Sequence, residues 1–213
     1  MGLLDDFTVS WEGQIIPSKS LAGIPLGISI EDFERGIDKY LVDGDKSLYK
    51  FINSPILSLG KEFDSNGDGG YGFSVNDLEL TNWRLYFNSP DHAGVNPRAL
   101  YVIVRSWKVY AVKAWMFESL KEGDRPVNSY RGKLCGGIGL GDLVRDLLAY
   151  TELEFDNAEE WFYTDKNFGG LEVSGYGVDL NDEPDQMITA LTVIEESPFT
   201  PAPPQDSEFD FLL

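Results

Sequence analysis

The sequence predicts an α+β protein built as two tandem helix-plus-antiparallel-sheet modules with a flexible acidic C-terminal tail. Three observations lead there. One short stretch occurs twice: GIPLGISIEDF at 23–33 and GIGLGDLVRDL at 137–147 align without a gap. They share Gly23/Gly137, Ile24/Ile138, Leu26/Leu140, Gly27/Gly141, Ile30/Val144 and Asp32/Asp146. Each copy is followed by short runs rich in Val, Tyr and Trp that partly alternate with polar residues, as half-buried strands do. Within each half the strands come as a series after a helix, and that order favours α+β over a parallel α/β sheet.

Each copy opens as an extended apolar lead-in punctuated by glycines and continues as an amphipathic helix. In the first helix Ile30, Phe33, Ile37 and Leu41 recur every three or four residues and form one apolar stripe. Ser29 is the expected N-cap, with Glu31 and Asp32 in the first turn complementing the helix dipole. In the second, Asp142 is the expected cap and Val144, Leu147 and Leu148 make the stripe. Gly27 and Gly141 stand where extended chain turns into helix, a place for positive φ. Strands are expected over 49–59, 71–75, 82–87, 100–106 and 108–115, then over 153–156, 161–164, 171–176 and 187–194. Turn signals at Asn66-Gly67, Asp68-Gly69 and Asn181-Asp182 separate strands. The resulting division is a first module at 1–130, a second at 131–196 and a tail at 197–213. Four prolines between 198 and 204 favour extended, solvated chain in that tail.

Bulk properties narrow the function. A single Cys excludes an intramolecular disulfide, and no Cys/His spacing suggests zinc. The opening MGLLDDFTVSWEG has no basic region and no long apolar run, so a secretory signal is not expected, and no 18-residue apolar segment occurs. A cytoplasmic protein is the expectation. The net charge of −19 is unevenly spread. Residues 151–213 carry 16 acidic side chains and one basic one, Lys166; the first 150 carry 20 and 16. Such a block repels nucleic acid and attracts basic surfaces.

Catalysis has little support, and the chain is expected not to be an enzyme. The only His, His92, lies in the loop-like NSPDHAGVNP, and Cys135 reads as a small, partly buried residue rather than a nucleophile. The glycines of GGIGLGDLV lack the G-x-G-x-x-G spacing and the parallel βαβ surroundings of a dinucleotide site. DSNGDG at 64–69 fits the first six positions of a calcium loop, but the twelfth is Val75 instead of a bidentate Glu. A hairpin turn is expected there, with no metal and no cofactor.

The best candidate surface is the acidic cluster EFDNAEEWFYTD. It interleaves Glu154, Asp156, Glu159, Glu160 and Asp165 with Phe155, Trp161, Phe162 and Tyr163. Aromatic anchors give interfaces affinity and surrounding charges give steering. A second acidic run, Asp179, Asp182, Glu183 and Asp185, falls in an expected loop, and convergence of the two would make a strongly negative face.

The "GIxLGxxxxDv" helix opening followed by antiparallel strands resembles the module of the beta-lactamase-inhibitor and small outer-membrane lipoprotein superfamily. The second half resembles immunity proteins of polymorphic toxin systems, through GGIGLGDLVRDLLAY (136–150), EFDNAEEWF (154–162), GGLEVSGYG (169–177) and DQMITALTVI (185–194). The lipoproteins carry an export signal and a lipidated Cys, which this chain does not match, so the cytoplasmic immunity reading gains. That resemblance implies a protein that binds and neutralises a cognate toxin with a basic active-site cleft, a nuclease for choice because nucleases need cationic grooves. No nucleic-acid or membrane partner is expected. The alternative is a phage- or plasmid-encoded decoy that mimics DNA charge to block a host defence enzyme.

Overall fold

Short strands separated by turn residues pair with their sequence neighbours at little loop-closure cost, and most of the molecule follows that rule. The computed structural model describes residues 7–80, 97–118 and 125–199. A small hairpin of β1 (Ser20–Leu21) and β2 (Ile24–Pro25) precedes helix α1 (Ile30–Asp38). Strands β3 (Leu41–Asp43), β4 (Leu48–Tyr49), β5 (Leu57–Phe63), β6 (Gly69–Val75), β7 (Arg98–Arg105) and β8 (Lys108–Trp115) then pair in succession, all antiparallel. A second series, β9 (Leu153–Asp156), β10 (Trp161–Thr164), β11 (Leu171–Ser174) and β12 (Ala190–Ile194), does the same.

The fold class differs from the expectation. The chain is mostly antiparallel β-sheet with little helix, not two helix-plus-sheet modules. The last strands of the two series pair with each other over five residue pairs, from Ala111↔Ile194 to Trp115↔Ala190, giving one ten-stranded sheet in the order β3-β4-β5-β6-β7-β8-β12-β11-β10-β9. An apolar strand such as β12, whose five residues are all buried, cannot be left as an open edge without exposing unpaired backbone. Pairing β8 with β12 removes two such edges at once. Buried side chains from both series, Phe73 and Val102 with Leu171 and Val193, belong to one cluster.

The repeated stretch takes the same backbone course twice. Gly27 has φ +77° and Gly141 φ +80°. Gly27 N–H donates to the Val109 carbonyl at 2.8 Å, and Gly141 N–H to Ile188 at 2.9 Å. In return Val109 N–H reaches Ile28 and Ile188 N–H reaches Asp142, at 2.9 and 2.8 Å. Each copy therefore clamps the start of the strand that ends its own series. Lys113 stands four residues after Val109, Thr192 four after Ile188, and the two are direct cross-strand partners. A local twofold passes between them.

The helices depart from the expected pair. Ser29 caps α1 as expected, accepting from Asp32 N–H at 3.1 Å, and Phe33 and Ile37 are buried. The helix stops at Asp38, however, and Leu41 falls in β3, where it is exposed. The second copy forms only a 3-10 helix, Val144–Ala149, with Leu143 at the N-cap position and no side-chain cap. The Asp142 carboxylate is already committed, accepting from Gly139 N–H at 2.9 Å and Lys133 Nζ at 2.6 Å. Val144 and Leu147 are buried, while Leu148 is exposed. The expected strand over 49–59 is broken at 50–56, where the Phe51 ring turns into the core and Ile52 bridges to Ser10. The segment before β1 also belongs to the core, with Val9, Trp11 and Ile15 buried. Trp11 Nε1 donates to the Asn128 carbonyl at 2.8 Å, tying the N-terminal region to the second half of the chain. Cys135 is exposed, not partly buried. The expected strand over 82–87, His92 and residues 200–213 lie outside the described residues.

Candidate binding face

Neighbouring residues in a strand point to opposite faces, and the register of eight strands turns that rule into two parallel rows. One row reads Leu59, Phe73, Leu100, Ala114, Leu191, Val173, Phe162 and Phe155, each the cross-strand partner of the next. These side chains belong to the apolar core or pack against it, and α1 lies on this side, its Phe33 ring 4.8 Å from Tyr71. The immediate sequence neighbours form the second row: Gly60, Gly72, Tyr101, Lys113, Thr192, Glu172, Tyr163 and Glu154. That row runs across the opposite face, with two glycines at one end and polar, aromatic and charged residues along the rest. It is the candidate site.

At its centre Lys113 lies between two indoles, with Nζ 5.1 Å from the ring centroids of both Trp115 and Trp161. Burial holds its ammonium below the usual lysine range, opposed by the nearby carboxylates of Glu172 and Glu159. Glu172 is pushed the other way by the same burial, above the usual carboxylate range. Neither group forms a direct ion pair among the described residues. Trp161 Nε1 is buried without a hydrogen-bond partner, and its ring meets Tyr163 edge-on at 6.2 Å. A lysine without an ion pair, a glutamate whose side chain meets Thr192, and a buried indole N–H without a hydrogen-bond partner occupy one small area. Such groups cost stability in the free protein and gain from a partner that supplies complementary atoms.

The acidic cluster lies at the end of this row. Asp156 Oδ1 accepts from Ala158 and Glu159 N–H at 2.8 and 3.3 Å and so holds the β9–β10 turn, in which Glu160 adopts φ +60°. Glu154, Glu159 and Glu160 are exposed. The second run lies in the connection from β11 to β12. There Asp179 Oδ1 accepts from Asn181 N–H at 2.8 Å, and Asp182, Glu183 and Asp185 are exposed, Asp185 pairing with Arg145. The turn approaches the start of that connection: a methyl group on Gly177 would lie 3.2 Å from Glu160 Oε2.

Asp165 does something else. It is buried, and its oxygens accept from Thr151 Oγ1 at 2.7 Å and from the backbone N–H groups of Asn167, Phe168 and Glu152 at 2.7, 3.2 and 3.2 Å. Burial alone would raise its carboxyl, but these hydrogen bonds together hold it below the usual aspartate range. It organises the turn after β10. Asp64 plays a similar part between β5 and β6, accepting from Asn66 and Asp68 N–H at 2.8 and 2.9 Å, while Asp68 accepts from Ser106 N–H at 2.7 Å. Among the described residues no group of three or more His, Cys, Asp and Glu could hold a metal ion.

The acidic residues were visible in the sequence as a run. Lys113, Trp115, Glu172 and Thr192 were not, because three different strands bring them together and only the β8–β12 register makes them neighbours. Their sole local sign is the placement of Lys113 between Val112 and Ala114 in the run VYAVKAW. Comparison of the chain with protein-family models, with curated proteins and with solved structures finds no match. No helix among the described residues is long and apolar enough to cross a membrane.

Proposed function

We propose that this chain is an immunity or inhibitor protein that neutralises a cognate bacterial toxin, a nuclease, by covering the toxin's basic cleft with the acidic end of its sheet. One observation supports this above the others. The turn carrying the exposed Glu159 and Glu160 touches the β11–β12 connection at Gly177, and it sits beside Trp161 and Tyr163, whose rings meet edge-on. Rings give a partner something to bury, and the unpaired carboxylates steer a cationic surface toward it. A nuclease groove lined with Lys and Arg has the complementary charge.

The reading is tested by co-expression with nuclease toxins of polymorphic toxin systems. Growth should be restored by the wild-type chain and lost again on charge reversal at Glu159, Glu160 and Asp182 together. Protection undiminished in that variant would remove the acidic end from the account.

A further inference from the structure

On the other side of Lys113, the same face of the sheet carries a trough of about 490 Å³, within the size range of small-molecule sites. Its floor is Gly60, Gly70 and Gly72, and its walls include Ser58, Ser74 and Arg98. Glycine within a strand weakens it, and marks a bulge, a bend or a place where a ligand approaches the backbone. Gly60 pairs in regular register with Gly72 and is exposed, so no bulge calls for it, whereas the buried Gly70 and Gly72 make room for the Tyr101 ring and the Arg98 side chain beside the register shift between Phe73 and Ser74. A methyl group on Gly60 would have nothing within 4 Å. One on Gly72 would lie 3.3 Å from Arg98 Nε.

The Arg98 side chain lies over its own sheet. Its guanidinium rests on the Tyr101 ring, 4.5 Å from the centroid. Arg98 is exposed and pairs with no carboxylate among the described residues. A guanidinium resting on a ring keeps its planar fork of donors free to take a phosphate or carboxylate. The hydroxyl of Ser58 makes only a long 3.4 Å bond to the Ser74 carbonyl, and the Glu62 carboxylate lines the same trough. Because Arg98 covers the Tyr101 ring, the trough offers no bare aromatic wall on which a base could stack.

The geometry points to a binding site for a small anionic sugar, phosphorylated or carboxylated, with its anion on Arg98 and its hydroxyls on Ser58, Ser74 and Glu62. This goes beyond toxin binding, because the trough and the acidic end lie at opposite ends of the row and the test involves no toxin. The experiment is an amide-resonance titration of the full chain with ribose 5-phosphate, and separately with inorganic phosphate. The sugar phosphate should shift the Gly60, Gly70 and Gly72 amides saturably. Arg98→Gln should weaken binding about tenfold or more, the worth of a charge-assisted contact. Gly60→Leu should fill the trough and abolish binding while melting like wild type. No saturable shift, or shifts that survive Gly60→Leu, would overturn the assignment. Inorganic phosphate binding as tightly as the sugar phosphate would also overturn it, reducing the site to a bare anion contact.

Discussion

Strands β5–β8 and strands β9–β12 are both four-stranded antiparallel meanders whose last strand is clamped by a glycine turn, yet their free faces carry different chemistry. Along the first, the row reads Gly60, Gly72, Tyr101 and Lys113, with Arg98 and Arg105 resting on Tyr101 and Tyr110. Along the second it reads Thr192, Glu172, Tyr163 and Glu154, with Glu159 and Glu160 beyond. On the core face the two series are interchangeable in kind: Phe73, Leu100 and Ala114 against Phe162, Val173 and Leu191. Packing asks the same of both halves, whereas nothing in the fold asks for a glycine-lined trough under an exposed guanidinium at one end and carboxylates at the other. The difference between the halves is therefore where function is to be sought. Lys113 and Thr192, on the local twofold, mark the boundary between the two chemistries.

The comparison can be broken at the seam. Leu191 is fully buried and pairs with Ala114 across it. Leu191→Ala should cost about 2–5 kcal/mol, the usual range for truncating a core leucine. Amide exchange in β6 and β7 should accelerate as much as in β11. Acceleration confined to β11 and β12 would mean that the halves are stable separately.

The turn after β10 gives the next largest effect. Asp165→Asn should cost about 1.5–3 kcal/mol, because a charged acceptor serving four donors is replaced by a neutral amide. The sign with pH follows from its lowered carboxyl. The wild-type contribution is present above the ordinary aspartate range and fades as pH falls through the lower folded-state value. The variant should therefore lose less stability than wild type between neutral and strongly acidic pH. Equal losses in urea melts across that range would show that Asp165 is not the group involved.

The glycine clamps sharpen the comparison. Gly141→Val should cost at least ~1 kcal/mol, since a β-branched residue is forced to φ +80°. Gly27→Val should cost a similar amount through the backbone alone, because the space around Gly27 is open. An unchanged melting temperature in either would show that the two clamps are not equivalent.

The legible and illegible parts of the sequence separate along the same physical lines. Ser29 with Glu31 and Asp32 announced the start of α1, because capping is local. The turn at Asp64–Gly69 was legible for the same reason. The second helix misled because the cap expected of Asp142 depends on what else that carboxylate binds, and Lys133 and Gly139 had taken it. The fold class misled for a larger reason. Nothing in either repeat says whether its last strand is an edge or a partner, and the β8–β12 pairing joins residues about eighty positions apart. The acidic cluster was visible as composition, but its members do unlike things: Glu159 and Glu160 face solvent, while Asp165 is turned inward to hold backbone.

The smallest expected effect is on calcium. Asp64 and Asp68 already accept backbone amides, so millimolar calcium should leave the melting curve unmoved. A shift that grew with calcium concentration, as ligand linkage requires, would show that DSNGDG is more than a turn.

Steering of a cationic toxin by the acidic end of the row, as proposed, should be visible in association kinetics at several salt concentrations. Attraction between such surfaces is screened over about 8 Å at physiological ionic strength. Wild type should associate with the toxin it neutralises fast at low salt and more slowly as salt rises. Charge reversal at Glu159, Glu160 and Asp182 should lower the rate and flatten that dependence, with the fold intact by circular dichroism. If the reversed variant associates as fast as wild type with the same salt dependence, the carboxylates only keep the protein in solution, and the binding surface is elsewhere.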